Sequence, residues 1–235
     1  MRKKLYFLPL FLIMSLCHIV IGQAIAKETS WTEKKLGKII IKADKAAGQK
    51  KWSRAIKYGE QMLRGSHALD QHSDARYINL LKNLNRYYDK SNRLKEISPR
   101  IEEAYLLSQK HLGAAHETTI TSRLFYYKIL ISQKKYPAAI TLVQQSIVIL
   151  KKNREDKFKL LHYLKQLYSL YGRTELYAKE EETLLKLLKL NKQLLGEDLK
   201  ENITIILSLA RTYCLQKKNQ DFDKLMEEYN LDYQC

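Results

Sequence analysis

Large apolar and aromatic side chains recur along this chain at a nearly constant interval of 41 or 42 residues. In each copy a large residue is followed four positions later by Tyr or Leu, as in Leu84…Tyr88, Tyr126…Leu130, Leu167…Tyr171 and Leu209…Tyr213. Ala55, Ile97 and Ala139 are likewise separated by 42 residues. A constant period of this length is typical of a solenoid, in which each unit buries its apolar face against the next unit.

Within each period the apolar residues follow the spacing of an α-helix. In one segment Phe158, Leu161, Leu164, Tyr168 and Tyr171 return at steps of three and four, which places them on one helix face. The chain has only 8 Gly and 3 Pro in 235 residues, too few for the frequent turns that a sheet needs. Short polar breaks separate the helical segments, and short connections make neighbouring helices antiparallel. The sequence therefore predicts an all-α fold of about five antiparallel helix pairs.

Several segments resemble a known kind of repeat. The runs HLGAAHETTI at 111–120 and KKYPAAI at 134–140 resemble the longer tetratricopeptide repeats (TPRs) of the kinesin-light-chain kind. LLGED at 194–198 resembles the same inter-repeat turn, and KWSRAI at 51–56 resembles the middle of a first repeat. The resemblance spans roughly residues 35–230 and implies a right-handed α-α superhelix.

The match to the TPR pattern is degenerate at the position where the second helix of each pair begins. The family has a small residue there, where the second helix packs on the first. Ala55 and Ala139 match this pattern, whereas Ile97 and Phe222 depart from it. The sequence therefore supports the pairing of helices more fully than it supports the residue pattern of the family.

The N-terminal 26 residues have the pattern of a secretory signal peptide. Basic residues at positions 2–4 precede an apolar run at 5–21, and the small residues of Ala24-Ile25-Ala26 suit a signal peptidase. Cleavage after Ala26 would leave residues 27–235 as a TPR-like domain that is secreted or periplasmic. The apolar run is slightly short for a membrane-spanning helix, and its retention as an anchor is the alternative.

The chain is strongly basic, with 42 Lys and Arg against 25 Asp and Glu and a net charge of +17. Loss of the three cations in the signal segment would leave +14. Such an excess suits an acidic protein or peptide partner, or an anionic membrane surface, and it also occurs on the surfaces of proteins from Lys-rich proteomes. Export makes a nucleic-acid partner unexpected.

Two cysteines remain after signal removal, Cys214 and Cys235. An exported protein can form disulfides, so a bridge between them is one alternative and two free thiols the other. Opposite ends of an antiparallel helix pair would hold the two residues roughly 15–20 Å apart. Only a C-terminal tail that folds back could join them.

The sequence offers no recognisable catalytic or metal site. His67 and His72, and His111 and His116, recur with one spacing at the inter-repeat turns, which indicates turn residues rather than converging metal ligands. The acidic run at 180–182 is expected on the exposed face or in the first turn of a second helix, where it favours the helix dipole. We therefore expect no cofactor, no metal and no enzymatic activity.

A set of cations falls on one helix face when the chain is aligned on its period. In TPR arrays the first helices of successive pairs line a concave groove, and Ser169 aligns with three of these cations. A ladder of donors there would suit carboxylates of an extended acidic peptide. The candidate groove residues are Lys82, Arg86, Lys128, Lys165 and Arg211.

Three functional hypotheses follow from these features. The first is an exported scaffold or adaptor that binds a partner segment in the groove of the solenoid. The alternative is a peripheral cell-envelope or membrane-surface protein that acts through its positive charge. The third, an enzyme with a dispersed site, would need a deep pocket with a perturbed acid–base pair.

The signal-peptide hypothesis makes a direct prediction about the mature N-terminus. Expression with an intact export pathway should yield a chain that begins at Lys27 in the exported fraction, because Ala24 and Ala26 fit the cleavage pocket. Mass spectrometry of the N-terminal peptide measures this. Replacing Ala26 with a bulky residue should block cleavage, and a native chain that keeps residues 1–26 would support the retained anchor instead.

Overall fold

The computed structural model describes residues 30–71, 74–152 and 156–235. The predicted signal segment lies outside these residues, and its prediction stays untested. Residues from Thr32 to Cys235 form one compact unit. The described residues contain helices and turns without a strand, which confirms the predicted all-α class.

Ten α-helices follow one another along the described part of the chain. They are α1 (Glu33–Gly48), α2 (Trp52–Ala68), α3 (Ala75–Lys90), α4 (Ser98–Leu112), α5 (Glu117–Ser132), α6 (Tyr136–Lys152), α7 (Lys157–Arg173), α8 (Tyr177–Leu195), α9 (Leu199–Gln216) and α10 (Asn219–Tyr229). Each helix packs against its neighbours in sequence, and α3 also packs against α5. The odd-numbered helices are the first helices of five pairs and the even-numbered helices are the second.

The turn inside every pair has the same backbone geometry. The turn after each first helix contains a single residue with a positive φ between 56° and 58°. The backbone amide of the residue that follows it donates a hydrogen bond to the carbonyl five residues before that amide. This 6→1 hydrogen bond is the mark of a Schellman turn. The left-handed residues are Lys50, Asn92, Lys134, Glu175 and Lys217, at intervals of 42, 42, 41 and 42. The backbone therefore repeats with the period read from the side chains, although none of the five is glycine.

The first helices also begin in one way. A side chain at the N-cap of each accepts a hydrogen bond from a backbone amide two or three residues later, which satisfies one of the free donors of the first turn. The capping residues are Thr32, Asp74, His116, Asp156 and Asp198. His116 acts through its Nδ1, 3.1 Å from the Thr118 amide. This assigns a capping role to one of the histidines interpreted above as turn residues.

Pair two departs from the predicted register at Ile97. The sequence aligns Ile97 with Ala55 and Ala139 inside a second helix, but residues Leu94–Ile97 form a 3₁₀ turn and α4 begins at Ser98. Pro99 is the physical reason, because it lacks the N–H that would continue an α-helix through Lys95. The assignment of Ile97 to the second helix was wrong.

Buried side chains form a core that extends along the stack rather than around one centre. A first cluster draws on α1 to α5, a middle cluster on α4 to α7 and a last cluster on α7 to α10. Gly59 of α2 marks a tight approach between two pairs. A Cβ there would lie 2.6 Å from Cδ1 of Leu84, which is fully buried on α3.

The C-terminal end of the stack is held by a disulfide. Cys214 of α9 and Cys235 are joined, with their Cα atoms 5.4 Å apart. Asn230 adopts a left-handed conformation after α10 and turns the last residues back. Tyr233 of this tail lies near the Phe222 ring, 6.1 Å between centroids. The tail thus brings together two residues that the helix pair alone would keep apart.

The contact between Gly59 and Leu84 predicts an unusual response to alanine. Gly59→Ala should lower the free energy of unfolding by about 1–3 kcal/mol, because Leu84 is fully buried and has to shift within a packed core. Urea unfolding followed by circular dichroism measures this. Gly37→Ala is the matched control, since nothing lies within 4 Å of a Cβ there. We expect it to stabilise by about 0.5–1 kcal/mol, and equal effects of the two variants would contradict the close-packing account.

Candidate binding grooves

The five predicted groove cations all lie on first helices, but most of them already contact neighbouring repeats. Lys82 and Arg86 lie on α3, Lys128 on α5, Lys165 on α7 and Arg211 on α9. Arg86 and Lys165 are exposed. The other three reach across to a residue of an adjacent helix pair.

Two of these contacts join α3 to α5. The Lys128 ammonium lies 2.7 Å from Oδ1 of Asp89, and the Lys82 ammonium lies 3.5 Å from the Thr118 hydroxyl. The Thr118 hydroxyl in turn donates to the Asn79 side chain at 2.7 Å. Part of the predicted ladder therefore links repeats rather than facing an empty groove.

The register position of the ladder also contains an acid. Asp44 of α1 precedes Arg86 by 42 residues, and it accepts a hydrogen bond from the Tyr87 hydroxyl at 3.0 Å. Burial and this carboxylate raise the pKa of Tyr87 to about 12. At this position, Asp44 and Lys128 therefore make contacts between first helices with opposite signs of charge.

Arg211 makes the most buried of these links. Its guanidinium lies 2.6 Å from Oε1 of Glu180, and Glu180 is only 1% exposed. A Cβ on Gly172 would lie 2.7 Å from that carboxylate oxygen and 3.1 Å from the Arg211 guanidinium, so the pair needs glycine beside it. Desolvation raises the pKa of Glu180, and the attraction of Arg211 opposes this only in part.

Glu180 is buried, and the acidic run at 180–182 was expected on the exposed face or in the first turn of a second helix. Glu180 does lie in the first turn of α8, as expected, but it falls 41 residues after Ala139 and 42 before Phe222. That is the position where the second helix packs on the first. The 42-residue register therefore indicated that position 180 is buried, whereas the run of three acids suggested an exposed position.

A deep apolar groove separates the first helices α5 and α7. It encloses a volume of about 400 Å³ over α6. Ile120, Leu124 and Phe158 line it and remain 41%, 44% and 62% exposed. Such large apolar side chains on one surface, grouped around a concavity, are typical of a binding site. The full lining is Ile120, Thr121, Arg123, Leu124, Tyr127, Leu142, Val143, Ser146, Phe158, Lys159, His162, Tyr163 and Gln166.

A buried cation lies in the wall of this α5–α7 groove. Arg123 is 5% exposed, and one terminal nitrogen donates to the Ala114 carbonyl at 2.7 Å. Its guanidinium lies over the Tyr105 ring, 5.9 Å from the centroid, and its Nε has no hydrogen-bond partner among the described residues. No Asp or Glu is among the described residues that line the groove. The described lining is therefore mostly apolar, and its charged members are the two cations Arg123 and Lys159, of which Lys159 lies 3.3 Å from the Asp156 carboxylate.

None of the five groove cations predicted from the sequence lines this groove. Leu124 aligns with Lys82 and Lys165 on the 42-residue register, so its position on the first-helix face could have been read from the sequence. Its partner surface on α7 could not, because the separation of α5 and α7 depends on how pairs three and four are stacked.

Solved structures of other proteins have the same arrangement of helix pairs. One is a predicted kinesin light chain with nearly identical TPR-like repeats from Podosopora anserina, at a TM-score of 0.62 and 16% identity over 83% of this chain and 93% of that one. A second crystal structure of that protein, a variant with one substitution, matches equally well. A third is BtubC (BKLC) from P. vanneervenii, at a TM-score of 0.60 and 13% identity over 84% of this chain and 79% of that one.

The fold is a TPR-like helical solenoid. At these identities the likeness establishes the fold alone. No protein-family model and no curated protein sequence matches the chain. The predicted resemblance to kinesin-light-chain-type repeats is thus confirmed at the level of structure, at a sequence identity of 13–16%.

The TPR-like solenoid offers few of the features that other classes of site require. Among the described residues no three His, Cys, Asp or Glu side chains are close enough to share a metal ion. None of the described helices has the length and hydropathy to cross a bilayer.

The buried Glu180 predicts a pH-dependent contribution to stability. Its pKa in the folded protein is raised above the ordinary value of 4.5, so the folded state binds the proton more tightly than the unfolded state. The wild-type advantage over Glu180→Gln should be largest at acidic pH and should shrink as pH rises through the folded pKa. Urea unfolding of both proteins across this range measures the difference.

Glu182→Gln is the matched control for this measurement. Glu182 is an exposed carboxyl on the same helix, and Lys186 lowers its pKa, so any pH effect there should be slight and of opposite sign. A wild-type advantage over Glu180→Gln that grows with pH would contradict the raised pKa.

Proposed function

We propose that this chain is an exported scaffold that binds a partly apolar, acidic segment of a partner protein on its first-helix side. The α5–α7 groove is the main contact site for this segment. TPR-like stacks offer a preformed concave surface, so a partner segment can bind without ordering the scaffold. Nothing about the proposal requires a cofactor or a catalytic group.

The exposed apolar lining of the groove carries the proposal. Ile120, Leu124 and Phe158 keep large apolar areas in water in the unbound chain, and a partner side chain would remove that area from solvent. Anchors of this kind supply most of the affinity at protein interfaces. The groove is also large enough for two or more side chains.

The charges around the groove favour an acidic partner. Arg123 and Lys159 are in the lining, and Arg86 and Lys165 are exposed on neighbouring positions of the first helices. No acid is among the described lining residues, but the Lys159 ammonium lies 3.3 Å from the Asp156 carboxylate, so a carboxylate on the partner would be attracted by Arg123 and would share Lys159 with Asp156. The proposed attraction for the partner thus comes mainly from α5 and α7 rather than from the full ladder of the sequence hypothesis.

Export is the remaining part of the proposal. The signal-like segment 1–26 supports it from the sequence, and the disulfide between Cys214 and Cys235 supports it because such bonds persist in oxidising compartments. The proposed location is therefore secreted or periplasmic.

Removal of the apolar lining tests the groove. Leu124→Ser with Phe158→Ser should weaken capture of the native partner from cell-envelope extract by roughly a hundredfold, from the loss of two buried apolar side chains. The mature chain serves as bait, and quantitative mass spectrometry measures the bound protein. Both side chains are substantially exposed, so the helical circular dichroism signal should not change.

Leu106→Ser with Val148→Ser is the matched control, because these two residues are 54% and 53% exposed on second helices. Equal partner capture by the two double variants would sink the groove proposal. The alternative is an envelope protein that acts through its charge. It would be favoured if added salt abolished partner capture and if charge reversal at any surface position weakened capture equally.

A further inference from the structure

A second groove lies on the opposite side of α7, between the second helices α6 and α8. Its volume is about 530 Å³. The helices α6 and α7 each contribute a stripe of residues at steps of three and four, and α8 contributes a broader stripe that includes the adjacent pairs 182–183 and 189–190. The stripes are Gln144, Ile147 and Lys151 on α6; Leu160, Leu164, Leu167 and Tyr171 on α7; and Lys179, Glu182, Thr183, Lys186, Lys189, Leu190 and Gln193 on α8.

The floor and the rim of this α6–α8 groove differ in chemistry. The floor is the leucine stripe of α7, extended by Ile147 and Leu190. The rim carries four lysines, and Glu182 is the one acid among the described lining residues. Glu182 is already 2.6 Å from the Lys186 ammonium. The groove therefore combines an apolar floor, in which Leu164, Leu167, Tyr171 and Leu190 are largely buried, with a rim that keeps a net positive charge after Glu182 is paired.

We propose that this groove binds an acidic amphipathic helix of a partner protein. The proposal is independent of the function assigned to the α5–α7 groove, since no residue lines both. The leucine stripe from Leu160 to Tyr171 is about three helical turns, or roughly 16 Å, long. A partner with apolar residues at the same helical spacing would fill it, with its acidic residues beside the lysines of both walls.

The walls explain why the partner is a helix rather than an extended strand. Both walls are α-helices whose backbone groups are bonded within the helix, so they offer no sheet edge with which a strand could pair. A bound strand could pair its backbone groups only with water or with side chains of the rim, because the apolar floor offers no hydrogen-bond partner. A helix satisfies its backbone internally and presents only side chains.

The charge of the chain argues against a second copy as the occupant. The protein carries +17, and the rim itself is lysine-rich, so self-association through this groove would bring cations together. An acidic partner gains from the same charges.

A synthetic helical peptide tests the proposal on the full mature chain. The probe is a lactam-bridged, fluorescein-labelled peptide of about 18 residues, or five turns, with Leu at helical spacing and flanking Glu. Fluorescence anisotropy should detect binding. A scrambled peptide of the same composition should not bind, because its apolar residues no longer form one stripe. Absence of binding by the probe, or equal binding by the scrambled peptide, would refute the proposal.

Charge reversal then locates the binding. Lys151→Glu with Lys179→Glu and Lys189→Glu should weaken binding of the probe by at least about tenfold. The matched control reverses Lys34, Lys57 and Lys200, which are exposed away from the groove, and should change affinity by no more than about twofold. Equal losses in both triple variants would show that the peptide responds only to net charge, which contradicts a built groove.

Three further measurements exclude other accounts. Ile147→Gln should weaken binding through the floor while the thermal unfolding midpoint confirms a folded chain, and unchanged affinity would contradict apolar contact. Leu124→Ser with Phe158→Ser should leave probe binding intact, since a loss would assign the probe to the α5–α7 groove. Competition by anionic phosphatidylserine vesicles tests whether the site binds lipid instead. If the vesicles displace the probe fully, and if vesicle binding is lost in the groove triple variant but kept in the control triple variant, the site binds lipid and the helix proposal fails.

Discussion

Burial of each helix pair against the next pair is the interaction on which this structure depends. A single pair of amphipathic helices cannot hide its apolar stripes, whereas a stack of pairs hides them successively. The three consecutive core clusters express this arrangement, because the core runs along the chain without a common centre. The repeated left-handed turn after each first helix fixes the direction of the second, so every pair presents its stripe in nearly the same orientation.

Where a residue departs from the repeat pattern, neighbouring pairs of the stack supply the contacts that stabilise it. Glu180 occupies a packing position that holds alanine in two other pairs, and a buried carboxylate there would be costly if left unpaired. Arg211 from the next pair supplies the opposite charge, and Gly172 leaves the space for both. The same polar device joins α3 to α5 through Lys128 and Asp89. Cations on the first helices thus contribute to stacking before any partner is considered.

The two grooves flank the same helix, α7. The apolar α5–α7 groove is on its first-helix side, and the lysine-rimmed α6–α8 groove is on its second-helix side. Both follow from the way in which pairs three and four are stacked, since the helices on either side of α7 are spaced apart there. A TPR-like solenoid can therefore present two chemically distinct surfaces from adjacent repeats, one largely apolar and one both apolar and basic.

The sequence by itself determined the all-α class, the pairing of helices and the 42-residue register, because apolar periodicity is a local property of the chain. It failed where a contact depends on another repeat. Ile97 lies outside the second helix because of Pro99, which is a local signal that the repeat alignment did not take into account. The burial of Glu180, in contrast, depends on Gly172 and Arg211, which only the fold brings near it. The disulfide needed the reversal at Asn230. The grooves needed the spacing between helices of different pairs, which tertiary packing alone decides, since no short stretch of sequence contains both of their walls.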